Sequence, residues 1–111
     1  MEIQRRQHGA VTVLRPEGAL AGADAERLKE EASNASARSL GRVAIDLSGV
    51  TFTDSRGLEV LVELADEASQ SGRTLRLCSV PETLREVFGL TGIGDGFDLF
   101  QDAASAARSF L

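Results

Sequence analysis

Cysteine is nearly absent from this chain: Cys78 is the only one in 111 residues. No intrachain disulfide can form, and a reducing compartment suits such a sequence. Cys78 lies in the apolar run 75–78 and reads as a buried small residue rather than a reactive thiol. Histidine is as scarce. His8 stands alone beside Gly9 in what reads as a turn, so no nucleophile–base pair is available. His, Cys and carboxylates are not clustered at metal-ligand spacing either. No glycine-rich loop ends in Gly-Lys-Ser/Thr, and the glycines of 92–96 are too short a run for a dinucleotide fingerprint. Basic residues are in the minority, 12 against 17 acidic, for a net charge of −5. That balance argues against direct contact with nucleic acid and against an anionic membrane surface. Long apolar runs are missing: no stretch could span a bilayer, and residues 1–11 lack the apolar core of a signal peptide. These absences lead to the expectation of a cytoplasmic protein that is not an enzyme and carries neither cofactor nor metal.

What is present is ordinary globular material, 42% hydrophobic and 26% charged, of a length for one domain spanning 1–111. Residues 2–7 and 10–15 read as two strands of a hairpin turning at His8-Gly9, with Val11 and Val13 alternating. After Pro16 a small-residue loop is expected over 17–23. Asp24 then looks like the N-cap of a helix to about residue 38, with Leu28 and Ala32 inward and a polar run at 33–39 that frays before Gly41. A strand over 42–47 precedes a helix over 56–71, closed by Gly72. Residues 74–78 form the next strand. Ser79 and Glu82 suggest a capping box, with Pro81 in the first turn and Leu84, Val87 and Phe88 on the apolar face. The glycines of 92–96 read as a loop, Phe97 to Phe100 as a strand, and Asp102 as the cap of a last helix ending near Phe110. The order β-β-α-β-α-β-α-β-α implies an α/β fold: a mixed sheet opened by a hairpin, with helices packed against it.

The informative stretch is 42–64, RVAIDLSGVTFTDSRGLEVLVEL. Val43, Ile45 and Leu47 alternate along a strand, and a short loop delivers Asp54-Ser55-Arg56-Gly57 to the start of an amphipathic helix with Leu58, Leu61, Val62 and Ala65 at helical spacing. Ser55 therefore sits where helix amides point outward, a place that can hold a phosphate. Gly57 beside it leaves room for a partner. Ser and Asp are also the ordinary N-cap residues, so the same pattern fits plain capping by Ser55 or Asp54. Glu59, Glu63, Asp66 and Glu67 fall on the solvent face of this helix, either merely solvated or a partner surface. Val60 is expected on the same side as an exposed aliphatic residue, a hint of an interface.

The element order and the segment IDLSGVTFTDSRGLEVL resemble a STAS domain, and more narrowly the bacterial anti-sigma factor antagonists. The resemblance rests on Asp54, Ser55, Gly57 and Leu58, on Gly18 and Leu20 ahead of the first helix, and on PETLREVFGLTG as the third helix. It implies a partner switch. The unphosphorylated antagonist binds an anti-sigma factor that is a serine kinase, which frees a sigma factor. Phosphorylation of the motif serine, here Ser55, ends the complex, and a serine phosphatase resets it. Asp54 is implied to orient the serine and its loop, and Gly57 to admit the kinase backbone and nucleotide. Arg56, Leu58, Glu59, Val60 and Glu63 complete the expected partner surface. Two positions depart from the family pattern: Arg56 stands where many relatives carry a second serine, and Ala21 where many carry an acidic residue. Arg56 adds a cation that could pair with phosphate or select a different partner. STAS domains also serve as subunits of lipid-transport ABC systems, often with threonine at the motif, and as scaffold subunits of sensory partner-switching assemblies.

Overall fold

The computed structural model describes all 111 residues. Its elements are β1 (Glu2–His8), β2 (Val11–Leu20), α1 (Gly22–Arg38), β3 (Val43–Asp46), β4 (Val50–Thr53), α2 (Ser55–Gln70), β5 (Leu75–Cys78), α3 (Glu82–Thr91), a 3-10 turn (Ile93–Gly96), β6 (Phe97–Phe100) and α4 (Ala103–Arg108). The sheet order is β1-β2-β3-β5-β6, with β4 also paired to β2. Only β1 is antiparallel to its neighbour. The expected mixed α/β sheet with an opening hairpin is present. Gly9 takes φ 63° in the turn, with His8 paired to Val11.

One strand is added to the expected order. β2 runs on to Leu20 where a loop over 17–23 was expected, because its second half finds a separate partner. Thr12 to Leu14 pair with β3, whereas Gly18 to Leu20 pair with β4 across an irregularity at Gly18. Pro16 falls in the gap between those two ladders, where a missing N–H interrupts neither. Gly49 turns the chain from β3 into β4 tightly against β2: a Cβ there would lie 2.8 Å from the Pro16 carbonyl oxygen.

Two expected caps are replaced. α1 starts at Gly22, and Asp24 sits in its first turn rather than at its N-cap. The Ser79–Glu82 box does not form, since the Ser79 hydroxyl donates to the Gln101 carbonyl instead. Asp102 caps α4 as expected, accepting from the Ser105 amide at 2.8 Å. Gly72, with φ 72°, follows the last turn of α2 as expected, and residues 93–96 wind into the 3-10 turn rather than an open loop.

Strand alternation divides the core between two faces. Leu14, Ile45, Leu47 and Leu77 point to one, where they meet Leu28 of α1, Leu61 of α2 and Phe88 of α3. Val11, Val13, Ala44 and Cys78 point to the other and are covered by Ala106 of the short helix α4. Cys78 is fully buried, and loss of water pushes its thiol up to about 12. The long helices thus lie on one face, and the loop between β4 and α2 is carried out at the end of the sheet.

Candidate functional site

Ser55 is the first residue of α2 and is exposed. Its position is fixed by its neighbours. Asp54, in extended conformation, is the N-cap: one carboxylate oxygen accepts the Gly57 amide at 2.8 Å, and the other accepts the Gly22 amide at 3.1 Å. One side chain therefore caps α2 and ties the start of α1 to it. Ala21 occupies the N-cap of α1 and has no group with which to cap it, so the Asp54 oxygen supplies the missing acceptor from across the sheet. Asp54 thus holds the loop through two main-chain amides.

Gly57 does a different job from the one read in the sequence. It is buried, and a Cβ on it would lie 2.2 Å from the Leu20 carbonyl oxygen and 2.6 Å from the Thr53 methyl. The glycine lets the first turn of α2 press on the end of β2 inside the molecule, so the room it leaves is already filled. Val60 is the second correction. It is fully buried in the main core, with Leu61, Leu64 and Ala65, and offers no surface to a partner. Leu58 is half-buried against the same core.

Arg56 is engaged on both sides. Its guanidinium donates to Glu26 of α1, and to both oxygens of Glu63 at 2.7 and 3.2 Å, with Glu59 at 4.0 Å. Lys29 of α1 joins through Glu63 at 2.6 Å. The result is a five-membered ion network that clips α1 to α2 directly beside Ser55. The Arg56 hydrogen bonds, then the Lys29 one, hold the Glu63 carboxyl down at about 2. Glu26 is likewise lowered by Arg56, and Lys29 is raised by Glu63. Glu59, Asp66 and Glu67 remain exposed, as expected of the solvent face, while Glu63 is half-buried under the network.

Sequence reasoning missed three contributors. Glu26 and Lys29 carried no signal of their own, because their role depends on how α1 lies on α2. Phe52 lies on β4, which takes the place of the expected short loop. It is 59% exposed on β4, three positions ahead of Ser55, beside a groove of about 200 Å³ bordered by Pro81, Thr83 and Val87. An aromatic between two threonines was the available clue. The site as a whole is an exposed hydroxyl at a rigid helix start, flanked by locked charges on one side and by an unburied aromatic on the other.

A family model for the STAS domain matches residues 2–106. The chain belongs to the STAS domain family. Within that family it stands with the anti-sigma factor antagonists. BtrV of Bordetella bronchiseptica, which bears that designation, is 30% identical over 94 residues, 85% of this chain and 81% of BtrV. The Thermotoga maritima protein TM1081, designated in the same way, superposes with a TM-score of 0.85 at 22% identity, over 96% of this chain and 92% of that one. The phosphorylated form of the Bacillus cell fate determinant SpoIIAA superposes at 0.74 and 19% identity, over 97% of this chain and 99% of that one.

Proposed function

We propose that this chain is the phosphorylation-controlled member of a partner switch. Unphosphorylated, it binds an anti-sigma factor that is a serine kinase and so frees a sigma factor. Transfer of phosphate to Ser55 by that kinase ends the complex, and a serine phosphatase restores it. The observation that carries the reading is the placement of Ser55: an exposed hydroxyl at the first residue of α2, on a loop whose other polar groups are already occupied. The family likeness supports it, as does the existence of a phosphorylated form of SpoIIAA.

The partner surface on this reading is made by Ser55, Arg56, Glu59 and Phe52, with Glu63 and Asp54 holding it in shape. Phosphate adds about −1.5 to −2 charges at neutral pH. The dipole of α2 favours an anion there by roughly 0.3–1 kcal/mol, which Asp54 and Glu59 oppose. Arg56 already serves Glu26 and Glu63, so it meets the phosphate only by giving up those contacts. The fold therefore tolerates the modification, and the complex does not. The test is mass spectrometry after incubation with the cognate kinase and ATP. Ser55 is expected to carry the phosphate, with Ser48, Ser69, Ser71 and Ser79 unmodified; comparable modification of Ser55→Ala would refute the assignment.

A further inference from the structure

The two ends of β2 differ in charge. Leu20 lies beside Thr53 and the switch loop, whereas Thr12 borders a cavity of about 340 Å³ at the opposite end. Arg5 from β1, Arg38 from the last turn of α1 and Arg42 just ahead of β3 line that cavity, with Gln7, Ser39 and Leu40. No carboxylate lines it, and none of the three arginines has an ion-pair partner, in a chain of 17 acidic against 12 basic residues. Arg15, Arg27 and Arg56 are paired with carboxylates, whereas Arg6, Arg73, Arg76, Arg85 and Arg108 are, like the cavity's three, without one; what sets Arg5, Arg38 and Arg42 apart is that they share one cavity. The C-terminal dipole of α1 accounts for Arg38, but not for Arg5 on a strand.

The backbone is arranged to make this convergence. Leu40 and Gly41 take φ 57° and 81°, two successive left-handed residues that reverse the chain after α1 and bring Arg38 and Arg42 to one cavity. That conformation is unfavourable for leucine, and at 67% exposure Leu40 regains little by burial. The oxygen of Gln7 accepts the Thr12 hydroxyl at 2.7 Å, which leaves its amide N–H groups as donors. A second cavity, of about 570 Å³, adjoins at Ala10 and Arg42; Ala107 and Phe110 give it an apolar wall, and Arg108 adds a further cation.

We propose that this paired cavity binds a small organic anion, its phosphate or carboxylate oxygens held by Arg5, Arg38 and Arg42 and its apolar body seated against Phe110. Guanidinium forks match such oxygens in pairs. The volume of the two open clefts is that of a small-molecule site. A bilayer or a nucleic acid would require a broad basic face, which a chain of net charge −5 opposes.

Calorimetric titration of the full chain at low salt, with inorganic phosphate and with phenyl phosphate, tests this. Saturable binding of phenyl phosphate is expected, tighter than that of inorganic phosphate. Arg38→Gln and Arg42→Gln should each weaken it by about tenfold or more. Arg85→Gln makes the same charge change on α3, outside both cavities, and should leave it unaltered, as should Ser55→Ala. Arg38 is exposed, so Arg38→Gln decides the matter should Arg42→Gln fail to fold. The proposal is overturned by absence of saturable binding to phenyl phosphate, by an equal loss in Arg85→Gln, or by binding confined to phosphatidylglycerol vesicles.

Discussion

Gly57 has no space for even a methyl group. The carbonyl oxygen of Leu20 would lie 2.2 Å from a Cβ, and a backbone atom cannot swing aside as a long side chain can. Gly57→Ala must move the first turn of α2 away from β2, and with it the Asp54 cap that holds Gly22. The expected cost is about 1–3 kcal/mol or more, the usual range for overpacking, and equilibrium urea unfolding measures it. An unchanged midpoint would show that the close approach at Gly57 has no structural weight. The same variant separates the two readings of this residue. A glycine kept only to admit a partner would leave stability untouched, whereas the observed packing makes it structural. At Ser55 the reverse holds: exposure makes its substitution nearly free for the fold, and the proposed function places its weight on binding.

Between elements, the Arg56 network joins α1 to α2. A serine at this position could not do so, and Arg56→Ser should loosen that contact. The pH dependence follows from the carboxylates. Glu63 is held at about 2 in the folded chain against an ordinary value near 4.5, so its contribution is complete above pH 4.5 and is lost as pH falls toward 2. Glu26 shifts in the same direction. The melting temperature of Arg56→Ser should therefore lie below that of the parent at pH 7, with the gap closing between pH 4.5 and 2. A gap that persists at pH 2 would mean that packing of the arginine stem, and not its ion pairs, supports the helix contact.

The same element shows what the sequence could and could not disclose. Residues 58, 60, 61, 62, 64 and 65 of α2 are all apolar, an arc wide enough to accept several rotations of the helix on the sheet. Spacing placed Leu61 and Ala65 inward correctly, but only packing decides that Val60 and Leu64 are buried while Val62 is half-exposed. The hairpin and the Asp102 cap were legible because each depends on residues a few positions apart, and the strands at 74–78 and Phe97–Phe100 because their apolar residues stand between turn residues. β4 was not, since a four-residue strand exists only through its pairing with the far end of β2. The cap on α1 was hidden for a similar reason: its acceptor, Asp54, lies 32 positions away.

At the scale of the molecule, the switch and the core are physically separate. The core is closed on both faces of the sheet, and Cys78 is fully buried in the smaller cluster under α4, with its thiol pushed up to about 12. A thiol reagent at neutral pH should therefore modify the folded chain only through unfolding, at a rate that denaturant accelerates. Rapid labelling of the native protein would contradict the closure of the α4 face. Because Ser55 stands outside that core, the proposed switch requires that charge placed there act on partners and not on the fold. The most direct measurement is calorimetric titration of the anti-sigma kinase with Ser55→Asp and with Ser55→Ala, both first shown to melt at the parent temperature. Removing a charge from water against a surface shaped for a hydroxyl costs several kcal/mol. At about 1.4 kcal/mol per tenfold, Ser55→Asp should bind about a hundredfold or more weakly than Ser55→Ala. Equal affinities would contradict the account, because charge at Ser55 would then not be what breaks the complex.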